Sequence, residues 1–169
     1  MSDFRPMRRQ RQQLSQEESV EILERATSGT LALLGDDDYP YAVPISFVYH
    51  EGCLYFHSAV EGHKIDAIRR HCKASFCVID KDEVHGERYT TYFRSVIAFG
   101  QIRIVDEADE KLAMARLLGN RYNPNQDEAL QKEIEKGLHR MLMLCMTIEH
   151  LTGKEAIELT VKKSHTPSV

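Results

Sequence analysis

Two apolar runs separated by only two turn residues constrain this chain most. Residues 41–50 are rich in Val, Ile, Phe and Tyr, Glu51-Gly52 follows, and residues 53–58 are apolar again. Both runs have strand composition, and so short a link can only close a hairpin. A parallel pair would need a crossover of about a dozen residues or more. Residues 74–80 and 91–105 form a second strand pair, joined by the charged stretch 81–88, which reads as a loop. The pattern predicts a mainly β chain folded as a small antiparallel barrel with helices outside it, not a doubly wound parallel sheet.

The rest of the chain fits that frame. Ser15 and Glu18 make a capping-box pattern that opens a helix over 16–27, with Gly29 beyond its end. Residues 31–34 read as a strand and Asp36-Asp37-Asp38 as a turn. Pro44 cannot donate to a ladder, so it places its strand at an edge or an interruption. Gly62 opens a helix with Ile65, Ile68 and Cys72 along one side, and Gly100 suggests a bulge. Helices are expected over 107–118 and 128–139, an apolar strand over 141–149, and a last strand or edge segment over 155–161. Residues 1–14 form an arm, and the whole of 1–169 reads as one domain.

Composition narrows the function. The chain has 169 residues and a net charge of −4, which argues against general nucleic-acid binding. Arg5, Arg8, Arg9 and Arg11 are locally basic, the pattern of a solvated tail. No apolar run is long enough to span a membrane, and the polar N-terminus lacks a signal-peptide core, so a cytoplasmic location is expected. Cys53, Cys72, Cys77 and Cys145 show no zinc-like spacing and read as small hydrophobes. His50, His71, His85, His139, His150 and His165 show no ligand spacing either, so no metal site is predicted. Tyr39, Tyr41, Tyr49 and Tyr55 read as barrel or interface aromatics.

Chemistry concentrates between Leu54 and Ile68. A strand ends at His57 and Ser58, and His63 and Lys64 stand at the start of the following helix. Free N–H groups at a helix start, the dipole and a lysine together suit a phosphate. Neither the Walker spacing nor a dinucleotide fingerprint is present. Glu61 opposes an anion there. His57 is the candidate proton donor or substrate holder, since imidazole titrates near neutral pH.

Five segments in order carry a resemblance: Tyr41-Ala-Val-Pro-Ile-Ser-Phe, Leu54-Tyr-Phe-His-Ser-Ala, Glu61-Gly-His-Lys-Ile-Asp, Arg94-Ser-Val-Ile-Ala-Phe-Gly and Leu151-Thr-Gly-Lys-Glu. The chain resembles the FMN-binding split-barrel proteins related to pyridoxamine phosphate oxidase, and within them the Nim-type 5-nitroimidazole resistance proteins. The resemblance implies a Greek-key split barrel and a homodimer with FMN at the interface. It places Phe56, His57, Ser58, His63 and Lys64 at the phosphate and ribityl chain. Val43, Pro44, Ile45 and Ser46 would pass the ring edge, Ser95 flanked by Arg94 would contact flavin, and Lys154 would approach from the C-terminal end. The oxidases' Arg-Lys pair is His63-Lys64 in this chain, and their C-terminal Trp is missing. That departure argues against oxidation of pyridoxamine phosphate. The expected activity is reduction of a small-molecule electron acceptor such as a nitroaromatic, with His57 catalytic. The alternatives are a flavin carrier or sensor without turnover and a haem-binding or haem-degrading split-barrel protein.

Overall fold

The computed structural model describes residues 4–163, with side chains through Thr160. Met1 to Asp3 of the arm, and His165, lie outside the described residues. The chain runs α1 (Gln16–Arg25), β1 (Ser28–Leu34), β2 (Pro40–Ser46), β3 (Val48–His50), β4 (Cys53–Ala59), α2 (His63–Arg70), β5 (Lys73–His85), β6 (Thr90–Ile104), α3 (Ala108–Tyr122), α4 (Asp127–Gly137), β7 (Met141–Glu155) and α5 (Ile157–Lys163). The seven strands form one sheet in the order β2-β1-β5-β6-β7-β4-β3, and every pairing is antiparallel. The two edge strands, β2 and β3, are consecutive in the chain and separated only by the buried Phe47. The sheet therefore curls until its edges meet at one residue, with no ladder across the seam. This is a split barrel, mainly β, with helices at its periphery.

Local sequence explains most elements. Ser15 Oγ accepts from the Glu18 N–H at 3.1 Å and Glu18 Oε2 from the Ser15 N–H at 2.8 Å, so the capping box opens α1 as read. Glu51 and Gly52 both take positive φ, 47° and 80°, which the tight β3–β4 turn requires. Pro44 lies on the edge strand β2 and pairs only toward β1, opposite Thr30. The seam is pinned from outside. The Phe47 N–H donates to Tyr122 Oη at 3.0 Å, while the Tyr122 hydroxyl donates to the Thr27 carbonyl.

Two apolar layers form. Leu31, Phe47, Leu54, Phe56, Ile65 and Phe76 fill the barrel. Val48, Tyr55, Val105, Ala115, Leu118 and Met143 pack outside it under α3 and α4. The helical pair thus covers one half of the outer sheet surface. The other half stays bare and apolar, with Ile79 69%, Ile97 38% and Phe99 38% exposed.

The structure corrects four boundaries. The stretch 81–88 is not a loop, because β5 continues to His85. A Lys81–Glu83 ion pair (2.6 Å), a His85–Glu83 contact (3.0 Å) and pairing with β6 carry the strand beyond its apolar alternation. Residues 157–163 form a helix rather than a strand. Their β-branched composition is overridden by burial of Ala156 and Leu159, three apart, against Tyr92. The strand expected over 141–149 runs on to Glu155, since β6 offers it a partner throughout. Helix α1 ends at Arg25, and Gly29 belongs to β1, where a side chain would strike the Phe76 ring.

Gly100 sits at the β6–β7 register shift, and a methyl group there would run into the Thr147 carbonyl. Gly100→Ala is expected to destabilise the protein by about 1–3 kcal/mol, the usual cost of forced overpacking. Denaturant unfolding checks this, and an unchanged midpoint would show that the bulge yields freely.

Candidate functional site

The site is built where β4 hands over to α2. Gly62 caps α2 at φ 120°, a conformation that favours glycine, and no side chain caps this start. The helix is held by Ile65, Ala67 and Ile68, which are buried in the barrel core. Its leading N–H groups face outward with the dipole's positive end. The His63 ring stacks on Tyr41 of β2 at 4.1 Å, and its Nε2 lies 3.7 Å from Asp36 Oδ2. Asp36 in turn takes the Arg70 guanidinium at 2.6 Å. Lys64 is half-buried, and burial pushes its ammonium below the ordinary lysine range. Among the described residues it has no carboxylate and no hydrogen-bond partner. A desolvated cation without a counter-charge at an uncapped helix start is a prepared anion site.

Strand alternation sorts the other sequence-predicted residues. On β4, Phe56 and Ser58 face the barrel interior and are buried. His57 shares the outer side with Tyr55 and is exposed, with no hydrogen-bond partner for its ring among the described residues. On β2, Val43 and Ile45 pack against the inner core, whereas Pro44 and Ser46 face out. Strand β4 lies against the edge strand β2 across the seam.

The bare outer surface carries an unbroken register row across five strands: Pro44, Thr30, Cys77, Ile97, Thr152. Ser95 and Lys154 pair with each other one step along, on the same side. Lys154 Nζ sits 5.2 Å over the Phe93 ring. The structure thus brings Pro44, Ser46, Ser95 and Lys154 onto one surface.

Arg94 points the other way, toward α1. Its Nε and Nη2 donate to Oε2 of the buried Glu155 at 3.1 and 2.9 Å, and its Nη1 lies 3.5 Å from Asp80. Arg25 Nε donates to the same Asp80 at 2.8 Å. Asp80 falls at the β5 bulge between Ile79 and Lys81. Two cations therefore share two carboxylates. The hydrogen bond from Arg25, helped by the Arg94 charge, holds the Asp80 carboxyl below its ordinary range. Its folded pKa is depressed, so the stability it adds is present above the ordinary aspartate value and is lost as pH falls through the folded value. Melting curves from about pH 5 to about pH 3 should slope less for Asp80→Asn than for wild type. Parallel slopes would show that this network contributes nothing to acid stability.

Several residues at the site escaped sequence reasoning. Local pattern marks Asp36 only as a turn residue and Tyr41 only as a barrel or interface aromatic. Phe4 stacks on His150 at 4.6 Å beside Phe99, so the arm crosses the bare surface. Period-2 alternation in β6 would have flagged Ile97 and Phe99 as outward. Nothing local predicts Glu155 or Asp80 as partners of Arg94. Among the described residues, no group of His, Cys, Asp and Glu side chains is arranged to hold a metal ion. No described helix is long and apolar enough to cross a membrane.

Comparison with known proteins adds the following. The family model described as Pyridoxamine 5'-phosphate oxidase matches residues 15–155. No curated protein matches the chain. Among solved structures, a conserved hypothetical protein of Mycobacterium tuberculosis superposes with a TM-score of 0.80 at 16% identity, covering 97% of this chain and 98% of that one. A candidate 5-nitroimidazole antibiotic resistance protein of Bacteroides thetaiotaomicron gives a TM-score of 0.69 at 19% identity, covering 85% and 86%. An FAD-binding protein of Mesorhizobium loti gives a TM-score of 0.62 at 25% identity, covering 85% and 96%.

Proposed function

The chain belongs to the pyridoxamine 5'-phosphate oxidase family, and on that premise we propose that it is a cytoplasmic FMN-binding homodimer that reduces small electrophiles such as nitroimidazoles and other nitroaromatics. Lys64 carries this reading: a half-buried ammonium without a counter-charge among the described residues, at the uncapped start of α2. A phosphate supplies the missing charge and accepts from the leading N–H groups. The residues present fit the cofactor's other end as well. The outer row through Pro44, Thr30, Cys77, Ile97 and Thr152 is a flat, largely apolar surface with hydroxyls at intervals.

In this reading Lys64 and His63 hold the phosphate end, with Ser58 behind them on the barrel side. Pro44 and Ser46 border the ring, Ser95 and Lys154 meet it from β6 and β7, and Val43, Ile45 and Phe56 support these positions from the core side. Arg94 acts indirectly, by fixing β6 through Glu155 and Asp80. The flavin supplies the electron or hydride transfer. His57, exposed on β4 and without a side-chain hydrogen bond among the described residues, donates a hydrogen bond to the acceptor's developing negative oxygen. The bare surface at Ile79, Ile97 and Phe99 is the face covered by the second copy. A solvent-exposed apolar patch of this kind is costly on a monomer.

A single helix start serving one phosphate and the missing dinucleotide fingerprint support FMN over FAD in this reading. The test is to release the cofactor by denaturation and weigh it. FMN supports the proposal, and recovery of FAD or haem alone overturns it. Bleaching by NAD(P)H followed by reoxidation with a nitroaromatic separates a reductase from a flavin carrier. A bound flavin that is never reoxidised by an added acceptor would make the protein a carrier.

A further inference from the structure

The arm holds a second candidate anion site that the flavin proposal does not use. Between Phe4 and Gln16 the chain carries Arg5, Arg8, Arg9 and Arg11 and no acidic residue, in a protein of net charge −4. The arm is fixed to the sheet. The Leu14 N–H donates to the Gly153 carbonyl at 3.0 Å, Gln13 bridges to Lys154, and the turn Gln10–Gln12 is closed by the Gln13 N–H on the Gln10 carbonyl at 3.0 Å. Arg8, Arg9, Gln10, Arg11, Gln12 and Ile157 line a groove of about 420 Å³. Among the described residues no carboxylate pairs with these three arginines. Gln12 in the same groove is only 5% exposed, and its side-chain Oε1 is buried without a hydrogen-bond donor.

We propose that this groove binds the diphosphate of a nucleotide. Three guanidiniums beside a fixed turn match two linked phosphates through charge-assisted hydrogen bonds. A buried acceptor beside them calls for an N–H or O–H on the ligand, which a nucleoside supplies and a bare oxyanion largely does not. The groove lies apart from Lys64. Lys154 is two residues beyond the Thr30–Thr152 row, and His63 stacks on Tyr41, level with Leu33 on the other side of that row. The separation along the strands is on the order of 17 Å at ~3.3 Å per residue.

The test is calorimetric titration of the protein as purified, and again after loading with FMN, using ADP and inorganic pyrophosphate as probes. ADP should bind in both cases. The exposed triple variant Arg8→Gln/Arg9→Gln/Arg11→Gln should lose roughly thirty- to a hundredfold in ADP affinity, and Lys64→Ala should leave it unchanged. Gln12→Leu should weaken ADP more than pyrophosphate. A separate nucleotide is read from the FMN-loaded protein, which should still bind ADP, and from FMN affinity, which the triple variant should leave unchanged. The inference is overturned if ADP does not bind, if the triple variant binds it equally, or if pyrophosphate matches ADP in every variant. Loss of FMN binding in Lys64→Ala with ADP binding retained shows that the two proposals stand or fall separately.

Discussion

Replacing His57 by alanine is expected to leave FMN and the dimer in place and to slow reoxidation by a nitroaromatic about 10²–10³-fold per bound flavin, the loss seen when one preorganised donor to a developing oxyanion is removed. The position makes the test clean. His57 is exposed and makes no side-chain hydrogen bond among the described residues, so its removal strips no internal interaction from the fold. Its backbone stays in the ladder opposite Met143. Equal rates per bound flavin would make His57 a bystander and favour the carrier reading.

Lys64→Ala should weaken FMN binding about ten- to a hundredfold, the loss of one charged partner worth about 1.5–3 kcal/mol. Folding should suffer little, because the half-buried ammonium in the flavin-free protein is desolvated without compensation. The variant is expected to melt no lower than wild type when both lack flavin, and lower when both are given it, since only wild type gains strongly from the ligand. Fluorescence titration of the flavin-free protein gives the affinity directly. An unchanged dissociation constant in a folded variant would remove the phosphate from α2.

The sequence made the architecture readable because the decisive links are short. Glu51-Gly52 allows only a hairpin, and the Ser15–Glu18 box fixes where α1 begins. It misled where local preference and long-range pairing disagree. Residues 81–85 are charged, yet β6 is present to pair them. Residues 157–163 are β-branched, yet Ala156 and Leu159 bury better from a helix. Of the candidate site, the His63-Lys64 start of α2 and the His57 strand end were visible as local pattern.

What the sequence could not give was orientation across strands. Pro44 and Ser95 share a surface because β1 and β5 intervene in register, whereas Arg94, one residue from Ser95, turns inward to Glu155 sixty-one positions away. Strand character, turns, caps and the absence of dinucleotide motifs are set by neighbours in the chain, and the sequence alone determined them. Which side of the sheet α3 and α4 cover, and therefore which apolar side is left bare, depends on contacts between distant segments. So does the lack of a counter-charge to Lys64 among the described residues. Only the tertiary structure decided those, because burial and charge pairing are properties of the packed molecule and not of any stretch of it.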